Sequence, residues 1–541
     1  MTTTSFPPDL SLARYYLFDR LAEGLGDNVA IRFGDRSYTY AAVAEKTRRT
    51  NGAFAAAGIR RGERVLVILH DVPPFAWAIF GTLARGAVLA MGNPLAPDDS
   101  LAYLVRYTRA TAIVTIPEVA AKLRPLVDAA DSEVQAVFVV PDAATGEDPE
   151  GPVDAAVLGG KVRALADALR EATPADPVAV HRDEPAIWLF TSGATGEPKA
   201  NVHTNRDFAF NTEIYAKDVV GYRQDDVTVS VSRLFFGYAT GTNLFFPFAV
   251  GATTGLFSER PTPEVLVDAV QRYRATIVTN VPTMLGKLLE HDAALTSAGK
   301  PGLDWTSVRF SLSAGEALPE PLLRRWQARF ASEVYDGIGS AEMFHIYASN
   351  RPGDVKPGSL GKVVAGYELR ILPEEATGAG AAPCAPGEIG VLWVKGDSVS
   401  MGYWLDRDRS WKTFHGHWCR TGDLFKIDEE GYLYFAGRAD DLLKVGGQWV
   451  APLEVEECLL EHPAVAAVAV VGVETEGLVK TKAWVVVRAG HEASPALATA
   501  LQEHARANLA KYKYPREIAF LADLPRNDRG KVDKKSLRSL G

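Results

Sequence analysis

The sequence predicts an α/β protein with a large, multi-subdomain N-terminal part built on parallel sheet and a small α/β unit at its C-terminal end. Three observations predict it. The chain has 541 residues, beyond the roughly 250–300 at which one hydrophobic core stops growing, so two or more domains are expected. Strand-like and helix-like patterns alternate early in the chain, as in βαβ units that lay helices on a parallel sheet. Loops bearing glycine repeatedly follow short apolar strands, and α/β sheets bind ligands in the crevice beyond the carboxyl ends of their strands.

In chain order, Val65–Leu69 reads as a strand, 74–84 as a helix and Val88–Met91 as the next strand. Asp98, Asp99 and Ser100 read as the cap of a helix with an apolar stripe at Leu101, Leu104 and Val105, and Ile113–Thr115 as the strand after it. Residues 141–176 are rich in Ala, Gly, Pro and acids, which reads as loops and a surface helix. Further strands are expected at 186–190, 276–279, 308–313 and 333–335. A Pro/Ala/Gly-rich insert, 373–387, precedes a β-like region up to Phe435. A boundary is expected between Ala439 and Asp440. Beyond it come helix 453–460, strands 465–471 and 483–487, helix 495–509 with Ser494 as its cap and Pro495 in its first turn, and strand 518–521.

The formal charge of −9 argues against a nucleic-acid surface, which needs a concentrated basic face. Any polyanion must be met locally. Three cysteines, Cys384, Cys419 and Cys458, lie far apart without metal-ligand spacing, which points to a reducing cytoplasm and away from structural zinc. The first ten residues lack the basic head and apolar run of a signal peptide. Residues 234–257 carry no charge and are long enough to span a bilayer. Gly237, Gly241, Gly251 and Gly255, with Asn243 and Pro247, favour buried core or pocket lining, so no membrane association is expected.

The chemistry centres on Thr191-Ser192-Gly193-Ala194-Thr195-Gly196-Glu197-Pro198-Lys199-Ala200, directly after an apolar run. Glycines let backbone N–H groups approach an anion, hydroxyls add donors, and the lysine supplies a compact positive charge. A polyphosphate suits such a loop. It is not a Walker A motif, because Pro198 precedes the lysine and Ala200 follows it.

The word order resembles the phosphate loop of the acyl-adenylate-forming superfamily, which includes acyl- and aryl-CoA ligases, amino-acid adenylation domains and luciferases. The superfamily's other signatures recur in order, so the resemblance covers nearly the whole chain. It implies a large adenylate-forming domain, 1–439, and a mobile C-terminal domain, 440–541, carrying a catalytic lysine. It implies ATP, Mg2+ and coenzyme A as the small molecules handled, with an aryl carboxylic acid as substrate. Carried over residue by residue, Thr191, Ser192, Gly193, Thr195, Gly196 and Lys199 grip the phosphates, with Thr191 and Lys199 also catalytic. Glu342, closing Tyr335-Asp336-Gly337-Ile338-Gly339-Ser340-Ala341-Glu342, approaches the magnesium of ATP, and Ala341 stands where a threonine is usual. Ala314, Gly315 and Glu316, together with Asp336, Gly337, Ile338 and Ser340, cradle the nucleotide. Asp423 in Thr421-Gly422-Asp423 and Arg438 reach the ribose. Lys531 stabilises the adenylation transition state, Asp440 is the hinge, and Lys444, Gly446 and Gly447 serve the thioester step.

Phe235-Phe236-Gly237-Tyr238 and the stretch from Gly339 to Ile346 are similar to the benzoate-CoA ligase branch. The resemblance makes Gly237, Tyr238, Gly339, His345 and Ile346 the lining of a ring pocket and Phe236 its gate. Gly237 stands where alanine is common, and Thr240 adds a hydroxyl, so a substituted benzoate such as 2-aminobenzoate is expected alongside or instead of benzoate. A loader that hands the aryl adenylate to a free carrier protein is the second reading. No fused carrier is expected, since the sequence given runs only a short way past Lys531. Luciferase-like oxidation and a non-catalytic nucleotide or aryl-acid sensor are weaker readings.

Overall fold

The computed structural model describes residues 5–192, 197–316, 318–441, 443–445, 448–475, 478–526 and 532–540, with only the backbone of residues 192, 440, 444, 448, 449, 475 and 478. The chain falls into two compact units, Met1–Glu368 with Val394–Cys419, and Leu369–Trp393 with Arg420–Gly541.

The first unit holds two sheets. Its strands are β1 (Val29–Phe33), β2 (Arg36–Thr39), β3 (Arg64–Ile68), β4 (Val88–Met91), β5 (Ala110–Thr115), β6 (Ala136–Val139), β7 (Val162–Ala164), β8 (Pro185–Ser192) and β9 (Pro198–Thr204). They continue as β10 (Val227–Ser230), β11 (Thr253–Leu256), β12 (Ile277–Asn280), β13 (Phe310–Ser313), β14 (Glu333–Gly339), β15 (Ile346–Ser349) and β16 (Lys362–Val363). One sheet has the order β7-β6-β5-β3-β4-β8-β9 and the other β16-β15-β14-β13-β12-β10-β11-β1-β2. The first is parallel except for the hairpin of β8 and β9. The second is parallel from β1 to β14, with antiparallel strands at both edges.

The reason for parallel sheet is visible in the residues. β4, β5 and β6 are buried at every position, and β4 and β6 read as the continuous apolar runs of a sheet covered on both faces. Helix Pro73–Ala84 is likewise buried throughout and opens on proline, whose missing N–H costs a first turn nothing. The helix predicted from Asp98 exists as Asp98–Thr108, but its cap differs from the one expected. Pro97 takes the N-cap position without a side-chain bond, and Asp98 and Asp99 sit in the first turn, where their charge favours the helix dipole. Strand β7 was not expected within 141–176; the surface helix there is Leu165–Glu171.

The charge-free segment is core, as predicted. It forms the short helices Gly237–Thr240 and Phe246–Ala249 around the π-helical turn Gly241–Phe245, then β11, with Phe245, Phe246 and Phe248 fully buried. No helix among the described residues is long and apolar enough to cross a membrane.

The second unit includes most of a five-stranded sheet in which Trp418–Ile427 pairs antiparallel with Leu433–Arg438. It continues with helices Pro452–Leu460 and Pro495–Asn508 and a sheet of Val465–Thr475, Leu478–Val487 and Glu517–Phe520. The Ser494 hydroxyl accepts the Leu497 N–H, the predicted cap. Leu459, Val465, Val470, Val485 and Leu501 give this unit a core of its own.

Candidate active site

In the hairpin, Thr191 stands opposite Lys199 and Ser192 opposite Pro198, so the predicted phosphate loop joins two paired strands. Gly193, Thr195 and Gly196 lie outside the described residues, as does the side chain of Ser192. The β9 arm is clamped from one helix. Tyr103 donates its hydroxyl to the Pro198 carbonyl at 3.0 Å, and Tyr107 accepts the Ala200 N–H at 3.3 Å while donating to the Trp404 carbonyl at 2.7 Å.

Alternation along β9 puts Lys199, Asn201 and His203 on one face. There, Lys199 Nζ lies 4.0 Å from Glu342 Oε1 and 3.9 Å from the centre of the Tyr403 ring. Tyr403 donates its hydroxyl to the same Glu342 oxygen at 2.7 Å. Burial first, and then the charge of Glu342, push the Tyr403 phenol up from its ordinary value, so it remains a donor. A cation, a carboxylate and an aromatic ring thus meet at the start of β9. Lys199 and Glu342 were predicted separately, and the fold brings them together.

Glu342 sits on a turn after β14 whose backbone is tied at three successive carbonyls. Ala341 O accepts from His203 Nε2 at 2.6 Å, Glu342 O from the Ser400 N–H at 2.9 Å, and Met343 O from Ser398 Oγ at 2.8 Å. Met343 O also accepts the His345 N–H at 2.9 Å, around a Phe344 with φ 67° and ψ −59°. That is a γ-turn of the rarer sign, at a non-glycine residue, and such backbone costs about 1–3 kcal/mol and persists only where surrounding contacts over-determine it.

The turn delivers His345 to the predicted ring pocket. Its ring is buried among Tyr238, Phe246 and Phe344, with centroids 5.3, 4.7 and 5.3 Å away. Nε2 donates to the Tyr238 carbonyl at 3.1 Å, and burial lowers the imidazole pKa to about 4, so the neutral ring keeps Nδ1 as an acceptor. Nδ1, the Tyr238 hydroxyl and the Ser340 hydroxyl are buried with no hydrogen-bond partner among the described residues. Each such group costs about 1–3 kcal/mol unless something fills its valence. Gly339 belongs here for a steric reason: a Cβ on it would lie 2.5 Å from the His345 carbonyl oxygen and 2.9 Å from the Ile346 nitrogen. Ile346 pairs with Gly339 across the strands. Gly237 is bounded by Leu189, whose methyls would meet an added Cβ at 3.2 and 3.3 Å. Phe236 is half-buried, its ring 4.5 Å from that of Phe235. The Thr240 hydroxyl does not serve the pocket as expected, because it is spent on the Leu234 and Phe236 carbonyls at 2.6 and 3.0 Å.

Of the predicted nucleotide segments, Ala314 to Glu316 follow β13, whereas Asp336, Gly337 and Ile338 lie within β14, which runs on past the expected 335 to Gly339 because these residues pair with β13 and β15. Gly315 has φ +88°, which a side chain rarely adopts, and Ala314 is buried. The Glu316 carboxylate accepts the N–H and the hydroxyl of Thr283 at 3.2 and 2.7 Å, satisfying the start of helix Pro282–Ser297, so its first task is structural. Asp336 is buried, and burial raises its carboxyl to about 8 against the opposing bonds of Ser313, Leu318 and Gly337. Gly337 and Ile338 pair with Ser349 and Ala348.

In the second unit, Asp423 and Arg438 are register partners on adjacent strands, with Arg438 Nη1 3.4 Å from Asp423 Oδ1. Asp440 lies in a 3-10 turn with its side chain outside the described residues, and the side chain of Lys444 is outside them too. Gly446, Gly447 and Lys531 lie wholly outside them. Tyr403 and His203 were missed. Their only sequence signal is the even spacing of His203 from Lys199 on one strand.

Residues 18–404 match the AMP-binding enzyme family, and residues 454–531 match the AMP-binding enzyme C-terminal domain. A benzoate–CoA ligase of Thauera aromatica is 38% identical over 505 residues, 93% of this chain and 91% of that protein. The structure of an anthranilate CoA ligase in complex with anthranoyl-AMP aligns with a TM-score of 0.88 at 30% identity, covering 100% of this chain and 99% of that one. A benzoate CoA ligase from Burkholderia xenovorans LB400 aligns with a TM-score of 0.85 at 33% identity, covering 98% and 99%. With family matches over most of the chain and relatives 30% identical or more along nearly its whole length, the chain belongs to the AMP-binding enzyme family.

Proposed function

We propose that this protein is an ATP-dependent aryl-CoA ligase that activates benzoate or a substituted benzoate such as 2-aminobenzoate. The observation that carries the reading is the meeting of Lys199 and Glu342 beside the phosphate hairpin, on the same turn that carries His345 into an aromatic pocket. In the first half-reaction a carboxylate oxygen bonds to the α-phosphorus of ATP, the bond to the β,γ-phosphates breaks and pyrophosphate leaves. In the second, the sulfur of coenzyme A bonds to the acyl carbon, its proton goes to solvent and AMP leaves.

Both partners of the first step are anionic, so the site must cancel charge and align the attack. Thr191 and Lys199 do so at the phosphates. Asp336, Gly337, Ile338 and Ser340, with Ala314 to Glu316, bound the base, and Asp423 with Arg438 takes the ribose. Lys531 completes the adenylation site, Asp440 is the hinge between domains 1–439 and 440–541, and Lys444, Gly446 and Gly447 serve the thioester step. The described residues contain no group of three or more His, Cys, Asp or Glu side chains fit to hold a metal ion. Glu342 alone suits an ion carried in by phosphates, because Mg2+ takes few protein carboxylates and much phosphate and water. Bound there, the ion would supply further neutralisation of phosphate charge. The substrate's ring meets flat apolar walls, and the unpartnered Nδ1 of His345 accepts from a ring amine or hydroxyl. Cys384, Cys419 and Cys458 are not joined in disulfides among the described residues, in keeping with a cytoplasmic setting.

The test is pyrophosphate release across a panel of aryl acids, with and without coenzyme A. Release with both benzoate and 2-aminobenzoate, and thioester formed only with coenzyme A, is the expected result. Strict preference for unsubstituted benzoate removes the substituted-acid reading. Turnover that needs a carrier protein identifies a loader, and binding without release a sensor.

A further inference from the structure

The contacts of β9 reach further than the phosphate hairpin. Lys199 and His203 point to the same side of this strand, and both end on the turn that follows β14: Lys199 beside the Glu342 carboxylate at 4.0 Å, His203 on the Ala341 carbonyl at 2.6 Å. A carbonyl oxygen can only accept, so the His203 Nε2 proton lies in that bond. The ring is wholly buried and cannot turn toward water. Its Nδ1 is 2.8 Å from the Asp207 carboxylate, and Asp207 is itself fixed by the Thr204 N–H at 3.0 Å and the Thr204 hydroxyl at 2.5 Å, a capping box at the start of helix Asn205–Asn211. A chain of directional bonds therefore runs from a helix N-terminus, through an imidazole, to the peptide immediately before Glu342. The other two carbonyls of the turn are held by Ser400 and Ser398, from a different segment. His203 supplies a direct side-chain bond from the strand of Lys199 to this turn, whereas the Ser400 segment, itself bonded to Val202 of β9, ties the two only indirectly.

We propose that His203 is a positioning residue for the adenylation step, setting the distance between Lys199 and the Glu342 carboxylate. The inference rests on the reading of Glu342 as part of the adenylation site. Without the Nε2 bond the turn relaxes about its strained Phe344, and the carboxylate leaves its place beside the phosphates while the ring pocket keeps its walls. A misplacement of about 1 Å costs on the order of 100-fold in rate where alignment is the catalyst's main contribution.

The experiment compares His203→Leu, His203→Gln and His203→Asn with Glu342→Gln and the double variant His203→Leu/Glu342→Gln. Pyrophosphate release is measured at saturating aryl acid and ATP over a range of magnesium concentrations, with thermal melting as the control for folding. Expected for His203→Leu is a fall in kcat of about 10- to 100-fold with a raised magnesium requirement and KM for the aryl acid within about twofold. His203→Gln, whose amide reaches the same carbonyl, keeps at least about a third of the kcat, and the shorter His203→Asn resembles leucine. In the double variant the loss matches that of Glu342→Gln alone, because the two act through one group. If the leucine variant does not fold, the glutamine and asparagine variants give the same comparison. A folded His203→Leu with unchanged kcat, or a loss confined to KM for the aryl acid, overturns the proposal while Glu342→Gln still reports a working Glu342. An unimpaired Glu342→Gln overturns both readings together.

Discussion

At the scale of single residues, two glycines set the room of the proposed ring pocket, and they do so differently. A Cβ on Gly237 would press the Leu189 methyls at 3.2 and 3.3 Å, side-chain ends that can give by a few tenths of an ångström. Gly237→Ala therefore folds and narrows the pocket. One methyl in an apolar pocket is worth about 10- to 200-fold in selectivity, so kcat/KM for 2-aminobenzoate should fall about tenfold relative to benzoate when both acids are assayed by pyrophosphate release. An unchanged ratio would place the substituent elsewhere. Gly241 is less forgiving. Its Cβ would lie 2.6 Å from two atoms of the buried His345 ring, and the backbone there is helical, so the demand is for space and not for conformation. Gly241→Ala should displace the imidazole, destabilise the protein by about 1–3 kcal/mol and lower activity with every aryl acid; a melting temperature equal to wild type would show that the ring has room the structure does not give it.

At the scale of elements, the site is a hairpin facing a turn, and the contact between them was only half legible in the sequence. Lys199 and Glu342 announce themselves because each sits in a recognisable word, a glycine-bearing loop and the close of a strand. Tyr403 and His203 do not, because their contacts join residues 61 and 138 apart in the chain and leave no local period. Buried strands such as β3 and β4 were readable as short apolar runs, whereas polar β9, opening on proline, is a strand chiefly because it pairs with β8. The Thr240 hydroxyl was misassigned because sequence names a donor without naming the backbone carbonyls that claim it. Tyr403 tests the element directly. Tyr403→Phe keeps the ring under Lys199 and removes only the hydroxyl bound to Glu342. A hydrogen bond to a charged group is worth about 1.5–3 kcal/mol, so kcat for adenylation should fall about tenfold or more with little change in KM for the acid, and a wild-type kcat would mean the carboxylate is held without it.

At the scale of the whole molecule, the buried titratable groups of the first unit set a pH dependence of stability whose sign can be worked out. Burial raises Asp71 to about 6 and Asp336 to about 8 from an ordinary value near 3.8, and lowers His345 to about 4 from 6.5. A carboxyl raised on folding binds more protons folded than unfolded between its two values, so its contribution to stability declines as pH rises through that window. A histidine lowered on folding does the reverse between about 4 and 6.5. Below about pH 6 the terms of Asp71 and His345 oppose each other. Above 6.5 His345 is neutral in both states and Asp71 ionised in both, which leaves Asp336 as the one of these three still titrating, up to about 8. Glu457 in the second unit, also raised by burial, can only add in the same direction. Between pH 6.5 and 8 the unfolding free energy should therefore fall toward a slope of about 1.4 kcal/mol per pH unit, one proton's worth. Asp336→Asn keeps the size of the side chain and cannot ionise, so denaturant melts of this variant should be flatter over that range and more stable than wild type at pH 8. A wild-type profile that is level or rising from 6.5 to 8, or an asparagine variant with the same slope, would mean that Asp336 is ionised in the folded protein. The buried carboxyl in the middle of β14 would then carry a negative charge beside the proposed base site, where burial otherwise keeps it a neutral donor and acceptor.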